Sequence, residues 1–175
     1  MKIIREFKGI EAVALDVFGT ILPTDYYYKP GDKIPSPSRK GIRTFLDRCK
    51  ERRIKVCTCS DGETTDVKEQ LYYARILFQK TDDDSLKRDI RYAECFSDGY
   101  FSNFFEMSKD GEKDIESILF CYNLWKTPEK LLVIGDRGEI DIAPAIILGC
   151  KTLLVPEYGI NSPCEDFDFA KIKIN

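Results

Sequence analysis

The stretch AVALDVFGT, residues 12–20, decides the fold of this 175-residue chain. Its first half is almost continuously apolar, and the run ends at Asp16 and a turn that contains Gly19. Continuous apolarity is typical of a strand that is covered on both faces, as parallel strands are in α/β proteins. The stretch therefore predicts a buried parallel strand with a carboxylate at its C-terminal tip.

Three further apolar runs have the same organisation. They are IKVCTC at residues 54–59, LLVI at residues 131–134 and TLLV at residues 152–155. The first ends in the polar tip Ser60-Asp61-Gly62, the second ends in Gly135-Asp136, and Pro156 stops the third. Each run predicts one more strand of a parallel sheet.

Segments with helical periodicity alternate with these strands. They cover residues 42–49, 64 to about 79, about 113 to 124 and about 140 to 148. Lys113 is expected to open the third of these helices. The alternation predicts a doubly wound, three-layer, Rossmann-like α/β fold with a parallel sheet. Because the length is close to that of a typical domain, residues 1–175 are predicted to form a single domain.

Two regions lie outside this alternation. Residues 23–38 contain several prolines and the consecutive tyrosines Tyr26–Tyr28. They predict an ordered loop whose rings either stack on a ring-bearing substrate or partner or pack locally. The C-terminal CEDFDFAKIKIN, residues 164–175, is expected to add an edge strand or to pack on the sheet.

The chain contains no histidine, which is the sharpest exclusion in its composition. Ser-His-Asp and Cys-His hydrolases are ruled out together with all histidine-based metal sites. The seven cysteines show no CxxC spacing, so neither a disulfide scaffold nor a zinc finger is expected. Any chemistry must therefore use carboxylates, lysines, hydroxyls, thiols or hard metal ions.

Charge and hydropathy narrow the set of partners. A formal charge of −3 gives no general attraction to phosphate polymers, so no nucleic-acid partner is expected. No apolar run approaches the roughly 20 residues that span a bilayer, so no membrane association is expected. Charged residues interrupt residues 1–16, which lack the apolar core of a secretory signal, and a cytoplasmic location is predicted.

Polar side chains stand at the ends of three predicted strands: Asp16, Ser60 and Asp136. The carboxyl ends of parallel strands meet at one edge of a sheet, where α/β proteins bind ligands, so these residues are expected to converge. Taken singly, each has an ordinary explanation as a turn former or a helix cap. Their joint placement is what predicts a site.

The order of these tips resembles the four motifs of the haloacid dehalogenase (HAD) superfamily. LDVFGT at residues 15–20 is similar to the DxxGT of that family, and GDRGEID at residues 135–141 matches its GDxxxxD spacing. The strand that ends at Ser60 corresponds to the second motif. Lys113, preferred over Lys109, corresponds to the lysine of the third. The resemblance spans about residues 11–156 and implies a HAD-like fold.

The resemblance also implies a Mg²⁺-dependent phosphohydrolase that acts on a phosphorylated small molecule or protein. Asp16 would be the nucleophile, because a carboxylate can attack phosphorus to give an acyl phosphate once the phosphoryl charge is neutralised. The implied Mg²⁺ ligands are Asp16, the main-chain carbonyl of Phe18, Asp136 and Asp141, of which Asp141 could instead orient the lysine. The implied phosphate- and substrate-binding residues are Thr20, Ser60, Asp61 and Lys109 or Lys113.

Phe18 departs from the pattern of the phosphatases in this superfamily. They usually carry a second aspartate two positions after the nucleophile, and this residue protonates the leaving group. A phenyl ring transfers no protons, so a general-acid contribution of roughly 10² to 10⁴-fold is missing unless another group supplies it. The expected substrates are those whose leaving groups need little protonation, such as acyl or aryl phosphates.

Two alternatives remain. The first is a catalytically degenerate protein that binds Mg²⁺ and phosphate, or a protein partner. The second is a 2-haloacid dehalogenase-like hydrolase, since DVFGT is also similar to the motif of those enzymes. Against the second stand the GDxxxxD spacing, which indicates a metal, and the short gap between Thr20 and Ser60, which leaves no room for a helical cap domain.

Overall fold

The computed structural model describes residues 5–33, 37–77, 99–108, 111–161 and 167–175. The strands in chain order are β1 (Arg5–Phe7), β2 (Ala12–Leu15), β3 (Lys55–Cys59), β4 (Phe101–Phe105), β5 (Leu131–Gly135), β6 (Lys151–Leu154) and β7 (Ile172–Ile174). The helices are α1 (Ile42–Glu51), α2 (Thr64–Tyr73), α3 (Ile115–Cys121) and α4 (Ala143–Ile147).

Five strands form one fully parallel sheet in the order β4-β3-β2-β5-β6. The strand from the deciding stretch, β2, lies at its centre, and Leu15 pairs with Thr58 on one side and Ile134 on the other. Strands β3 and β4 extend the sheet on one side of β2, and β5 and β6 extend it on the other. This reversal of direction makes the C-terminal end of β2 the topological switch point, where open α/β sheets bind ligands. The predicted doubly wound α/β fold is confirmed.

The apolar runs are continuous because both faces of the sheet are covered. In β2, Val13 and Leu15 pack into a core shared with α1 and α2. Ala12 and Ala14, which alternate with them, pack into a second core shared with α3 and α4. Each strand residue therefore meets a helix on one side or the other, which gives the three predicted layers.

Three of the four helices are shorter than predicted, and α1 extends two residues beyond its predicted end. The segment expected at about residues 140–148 begins as a single π-helical turn, Gly138–Ile142, and becomes α-helical only at Ala143. Pro144 stands in the first turn of α4, where its missing N–H costs no intrahelical hydrogen bond. The helix predicted from residue 64 ends at Tyr73, and positions 78 and 79 lie outside the described residues.

Lys113 does not open a helix, which corrects the prediction. Asp114 caps α3, accepting a hydrogen bond of 3.0 Å from the backbone N–H of Ser117. An aspartate side chain competes with the backbone for N–H donors, so it stands at the cap position and not inside the helix. Lys113 lies one position earlier and forms an isolated antiparallel β-bridge with Met107. Its side chain therefore starts from an extended segment and not from a helix.

Strands β1, β4 and β7 were not among the predicted runs. The edge strand β4 is only partly buried and mixes aromatic with polar residues, so it lacks the continuous apolarity of the other four. The C-terminal segment, expected to add an edge strand or to pack on the sheet, supplies β7, which pairs with β1 in a separate two-stranded parallel sheet and not with the main sheet. Phe169 of the same segment is fully buried in the core beside α1, which agrees with the alternative that this segment packs on the sheet.

No large cap covers the C-terminal edge of β2 in the part of the chain that the structure describes. The described residues between β2 and α1 form turns and one isolated bridge, Phe18 with Leu22. Among the described helices, the longest has ten residues, and none has the length and apolarity needed to cross a membrane.

Candidate active site

Three carboxylates meet at the C-terminal edge of the sheet. Asp16 follows β2, Asp136 follows β5, and Asp141 lies in the π-helical turn. One oxygen from each lies within 4.8 Å of the other two, which is close enough for a shared metal ion. Asp16 and Asp141 are buried and Asp136 is partly exposed. The structure thus brings together two of the predicted strand-tip residues and the candidate Asp141.

Two glycines make room for this acid cluster. Gly19 adopts φ +86°, in the left-handed region, and a Cβ at this position would overlap the carboxylate of Asp136. A Cβ on Gly135 would overlap the side chain of Asp141. The backbone turns of both motifs therefore approach the carboxylates more closely than any side chain would allow.

Lys113 is the cation of the cluster. Its ammonium lies 2.6 Å from Asp16 Oδ1 and 3.3 Å from Asp141 Oδ1, and it donates a 2.5 Å hydrogen bond to the carbonyl of Cys59. The side chains of Lys113 and Asp16 are 1% and 2% exposed, so this ion pair is shielded from water. Lys109, the other predicted phosphate lysine, lies outside the described residues.

Of the two hydroxyls predicted to bind phosphate, that of Thr20 contacts Asp16 and that of Ser60 contacts its own turn. Thr20 Oγ1 lies 2.9 Å from Asp16 Oδ2 and 3.1 Å from Asp136 Oδ1, so one hydroxyl links two of the acids. Buried Ser60 accepts the N–H of Gly62 at 3.2 Å, a contact that uses an oxygen lone pair and not its hydroxyl hydrogen.

Asp61, predicted as a substrate-binding residue, directs its carboxylate elsewhere. Its Oδ2 lies 3.1 Å from Arg137 Nη2, and both side chains are partly exposed. An ionised carboxylate accepts hydrogen bonds and offers a phosphate no donor, so the side chain of Asp61 is the partner of Arg137, and a contact with substrate stays a prediction.

The acid cluster carries more negative charge than its lysine can balance. Burial, opposed by the charge of Lys113 and reinforced by Asp141, raises the pKa of Asp16 to about 7. Burial likewise raises the pKa of Asp136 above its ordinary value, and the carboxylate of Asp141 adds to the effect. Burial disfavours the charged form of Lys113, yet the surrounding carboxylates and the Cys59 thiol raise its pKa.

The donor set fits a hard divalent cation. Three carboxylates against one ammonium leave an excess of negative charge in a buried place, and oxygen atoms are the ligands that Mg²⁺ prefers. Glycine backbones at positions 19 and 135 keep the space around these oxygens free of side chains. Asp16, Asp136 and Asp141 could therefore hold Mg²⁺, with the carbonyl of Phe18 as the ligand that remains a sequence-based expectation.

Phe18 lies two residues after Asp16, and its ring is partly buried. The ring packs partly on the core, and a Cβ on Gly62 would lie 3.0 Å from its Cε2 atom. It therefore borders the Ser60–Gly62 turn at the point where the resemblance puts a proton-transferring aspartate. No carboxylate replaces that group within two residues of Asp16 on either side.

Two arginines of the site were missed by the sequence analysis. Buried Arg39 donates through Nη1 to the carbonyls of Gly19 (3.4 Å), Thr20 (3.2 Å) and Pro156 (2.6 Å), which fastens the turn after Asp16 to the loop after β6. Its sequence context, SPSRKG, contains no signal for this role. Arg137 stands at a variable position of the GDxxxxD spacing, and only its charge could have suggested a contact with Asp61.

Solved structures of known proteins have the same architecture. A haloacid dehalogenase-like family hydrolase from Streptococcus pneumoniae aligns with 87% of this chain and 88% of its own at a TM-score of 0.58 and 13% identity. The chain has the HAD-like fold. This assignment confirms the fold that the four motifs implied.

Two further structures support the HAD-like assignment. A HAD-superfamily hydrolase from Ehrlichia chaffeensis aligns with 97% of this chain and 92% of its own, with a TM-score of 0.56 and 16% identity. A predicted phosphoglycolate phosphatase from Haemophilus somnus aligns over 89% of both chains, with a TM-score of 0.56 and 13% identity. No family model and no curated protein matches the sequence of this HAD-like chain.

Proposed function

We propose that this HAD-like protein is a Mg²⁺-dependent phosphohydrolase that acts through an aspartyl-phosphate on Asp16. The observation that carries the proposal is the acid cluster: a buried carboxylate at the central strand tip with two further carboxylates and the Lys113 ammonium around it. Its substrate would be a phosphorylated small molecule or protein. The HAD-like fold supports a hydrolase without specifying the bond that it cleaves.

The cluster supplies each part of a phosphoryl transfer to a carboxylate. A bound Mg²⁺ neutralises phosphoryl charge. Lys113 and Thr20 each engage one carboxylate oxygen of Asp16, which fixes the direction of that side chain toward the substrate. Asp16 forms a bond to phosphorus while the leaving group departs with its bonding electrons, and water then hydrolyses the acyl phosphate.

Ser60 and Lys113 act on the phosphoryl oxygens, whereas the Thr20 hydroxyl is engaged by Asp16 and Asp136. Ser60 keeps its hydroxyl hydrogen for a phosphate oxygen while its lone pair is held by Gly62. Charge-assisted hydrogen bonds of this kind are stronger than neutral ones and are aimed at charge that grows in the transition state. Because Phe18 cannot donate a proton, we expect turnover to favour acyl and aryl phosphates over alkyl phosphates.

A matched pair of variants tests this function. Phosphate release from p-nitrophenyl phosphate and acetyl phosphate is measured with and without Mg²⁺ for the wild type, Asp16→Asn and Glu11→Gln. Glu11 precedes the same strand at its opposite end, so its loss controls for a general change of charge. We expect Mg²⁺-dependent release by wild type and Glu11→Gln, and a loss of at least about 10³-fold in Asp16→Asn. Equal release by wild type and Asp16→Asn would refute the proposal.

Phe18 also favours a second candidate, a protein that binds Mg²⁺ and phosphate without useful turnover. Phosphate release separates the two once titration calorimetry has established Mg²⁺ binding: both proteins bind the cation, but the degenerate protein releases no phosphate from either substrate. A dehalogenase would instead release halide from a 2-chloro acid without any metal. Neither result is expected of the phosphohydrolase.

A further inference from the structure

Phe18 and Tyr27 form a pair of stacked rings, which we call the aromatic wall. Their ring centroids are 6.3 Å apart and their planes differ by 24°. The Phe18 ring also borders Gly62, in the turn that carries Ser60. Phe18 follows Asp16 by two residues in the sequence, so the wall begins in the turn that leaves the nucleophile and borders the turn of the hydroxyl assigned to the phosphate.

Helix α2 anchors the loop that carries the wall. Tyr28, the next residue, donates its N–H to Gln70 Oε1 and accepts from Gln70 Nε2, both at 2.9 Å, and Gln70 is buried. Burial and the charge of Asp66, a first-turn residue of the same helix, raise the pKa of the Tyr27 hydroxyl to about 12. The hydrogen bonds of Tyr28 hold the backbone next to Tyr27 in place before any ligand arrives.

Core packing does not account for the Tyr27 ring. It is 46% exposed, whereas the ring of Tyr28 packs on Tyr73 at a centroid distance of 4.3 Å. Neighbouring tyrosines of the same loop thus differ: one packs locally, and the other presents an aromatic face toward Phe18. A large ring that is held in place yet left exposed is typical of a surface that receives an apolar ligand group.

We propose that the aromatic wall binds the ring of a phenolic leaving group, so that the substrate of this site is an aryl phosphate monoester. The inference rests on the proposed function and narrows its substrate. Phe18 stands where the resemblance puts the group that meets the leaving oxygen. The wall therefore offers a ring face at the position from which the leaving group departs.

The chemistry of the leaving group agrees with this placement. Phenols lose their proton at a pKa of about 10, far more readily than alkyl alcohols, so a phenolate can depart without a general acid. The bond from Asp16 to phosphorus forms while the bond from phosphorus to the phenolic oxygen breaks, and the electron pair stays on that oxygen. The phenolate takes a proton from water. A second water hydrolyses the aspartyl-phosphate and regenerates the carboxylate.

Kinetics on two activated substrates test the ring preference. Phenyl phosphate and acetyl phosphate both have good leaving groups, and only the first has a ring. We expect Tyr27→Ala to lower the ratio of kcat/KM for phenyl phosphate over acetyl phosphate about tenfold, and Tyr27→Phe to keep most of that ratio. The control is Tyr100→Ala. Tyr100 is another tyrosine near an aspartate, since its hydroxyl hydrogen-bonds Asp47, but it lies at the N-terminal end of β4, whereas the site lies at the C-terminal ends of the strands. It should leave the ratio unchanged.

Binding of phosphonates tests the wall without turnover. In the presence of Mg²⁺, calorimetry compares phenylphosphonate with methylphosphonate for wild type and Tyr27→Ala. We expect about tenfold tighter binding of phenylphosphonate by wild type and a loss of most of this difference in Tyr27→Ala. Equal affinity of the two phosphonates for wild type overturns the inference.

The two proposals fail in different ways. Mg²⁺- and Asp16-dependent turnover with no ring preference in either assay refutes the aromatic wall and leaves the phosphohydrolase standing. Ring-selective binding of phenylphosphonate with no turnover of either substrate supports the wall and refutes the hydrolytic function. If Tyr27→Ala unfolds, Tyr27→Leu takes its place in both assays, with the same expected loss.

Discussion

The two sides of the site differ in chemistry although both begin at the tip of one strand. On one side, Asp16 and Asp141 contact Lys113, and Asp136 completes a largely buried, charged cluster. On the other side, Phe18 and Tyr27 present an apolar and partly exposed wall. Only two positions along the chain separate Asp16 from Phe18.

Under the proposed function, this difference separates two parts of a phosphoryl transfer. The charged side would activate and hold the phosphoryl group, while the apolar side lacks a proton donor for the leaving group. The first side would then fix the type of reaction and the second the substrates that can use it. A change on either side should therefore affect a different kinetic quantity.

The largest expected effect comes from removing the Lys113 ammonium from the charged side. Lys113→Met is expected to lower phosphate release by at least about 10²-fold, because the fixed positive charge at the phosphoryl group is lost. At pH 8 without metal, the unpaired buried carboxylates should also lower the free energy of unfolding by about 3 kcal/mol or more. Urea denaturation with and without Mg²⁺ measures this loss, and Mg²⁺ should restore part of it.

The matched control is Lys130→Met. Lys130 contacts Glu11 at the same 2.6 Å distance, but these side chains are 38% and 57% exposed. Water screens an exposed pair, so the urea midpoint of Lys130→Met should stay close to that of the wild type. Similar midpoints for both variants would show that burial does not distinguish the two pairs.

Restoring a carboxylate on the apolar side should change the substrate preference. We expect Phe18→Asp to raise kcat/KM for glycerol phosphate by about 10- to 100-fold, because an alkoxide leaving group gains most from a proton donor. Phenyl phosphate should gain much less. Phe18→Asn is the control, because asparagine has nearly the same shape as aspartate but is not an acid. An equal gain in that variant would mean that proton transfer is not the missing step.

Filling the space beside Asp136 should weaken cation binding. Gly19→Ala is expected to raise the dissociation constant for Mg²⁺ about tenfold or more, since its Cβ would overlap the Asp136 carboxylate. Gly9→Ala is the control, because Gly9 has a similar positive φ of +68° and no atom within 4 Å of an added Cβ. Calorimetry with Mg²⁺ compares them, and equal affinities would place the cation away from Asp136.

The smallest expected effect is a pH dependence of stability without metal. Folding raises the pKa of Asp16 from an ordinary 3.8 to about 7, chiefly through burial. A group whose pKa is raised by folding stabilises the protein at low pH, and this contribution is lost as the pH rises through the folded value. The melting temperature should therefore fall by several degrees between pH 5 and pH 8 relative to Asp16→Asn. Saturating Mg²⁺ should abolish that relative fall, and a parallel fall in both proteins would contradict the account.

The sequence predicted the charged side better than the apolar side. Strand ends and motif spacing are local patterns, so AVALDVFGT and GDRGEID were sufficient to place Asp16 beside Asp136. The contacts of Arg39 and the pairing of Asp61 with Arg137 depend on loops that meet only in the folded chain. The position of Tyr27 was equally hidden, because the hydrogen bonds that anchor its neighbour Tyr28 to α2 reach Gln70, about forty residues away in sequence.

Some short elements were not predicted correctly from the sequence for a related reason. Strands of three residues, such as β1 and β7, contain too few positions for a periodic pattern, and their pairing joins the two ends of the described chain. Lys113 was predicted at a helix start because its segment has helical periodicity, but the side chain of Asp114 provides the cap. The Lys113 ammonium nevertheless contacts Asp16, because an extended segment next to the sheet can position it there as well as a helix start could.

Formation of an acyl-phosphate mimic on Asp16 tests the central claim most directly. Beryllium fluoride binds an aspartate carboxylate as a stand-in for a phosphoryl group, and ¹⁹F NMR reports the bound fluorides. We expect bound resonances from the wild type only when Mg²⁺ is present, and none from Asp16→Asn. Bound resonances that form without Mg²⁺, or that persist in Asp16→Asn, would contradict the assignment of Asp16 as a metal-assisted nucleophile.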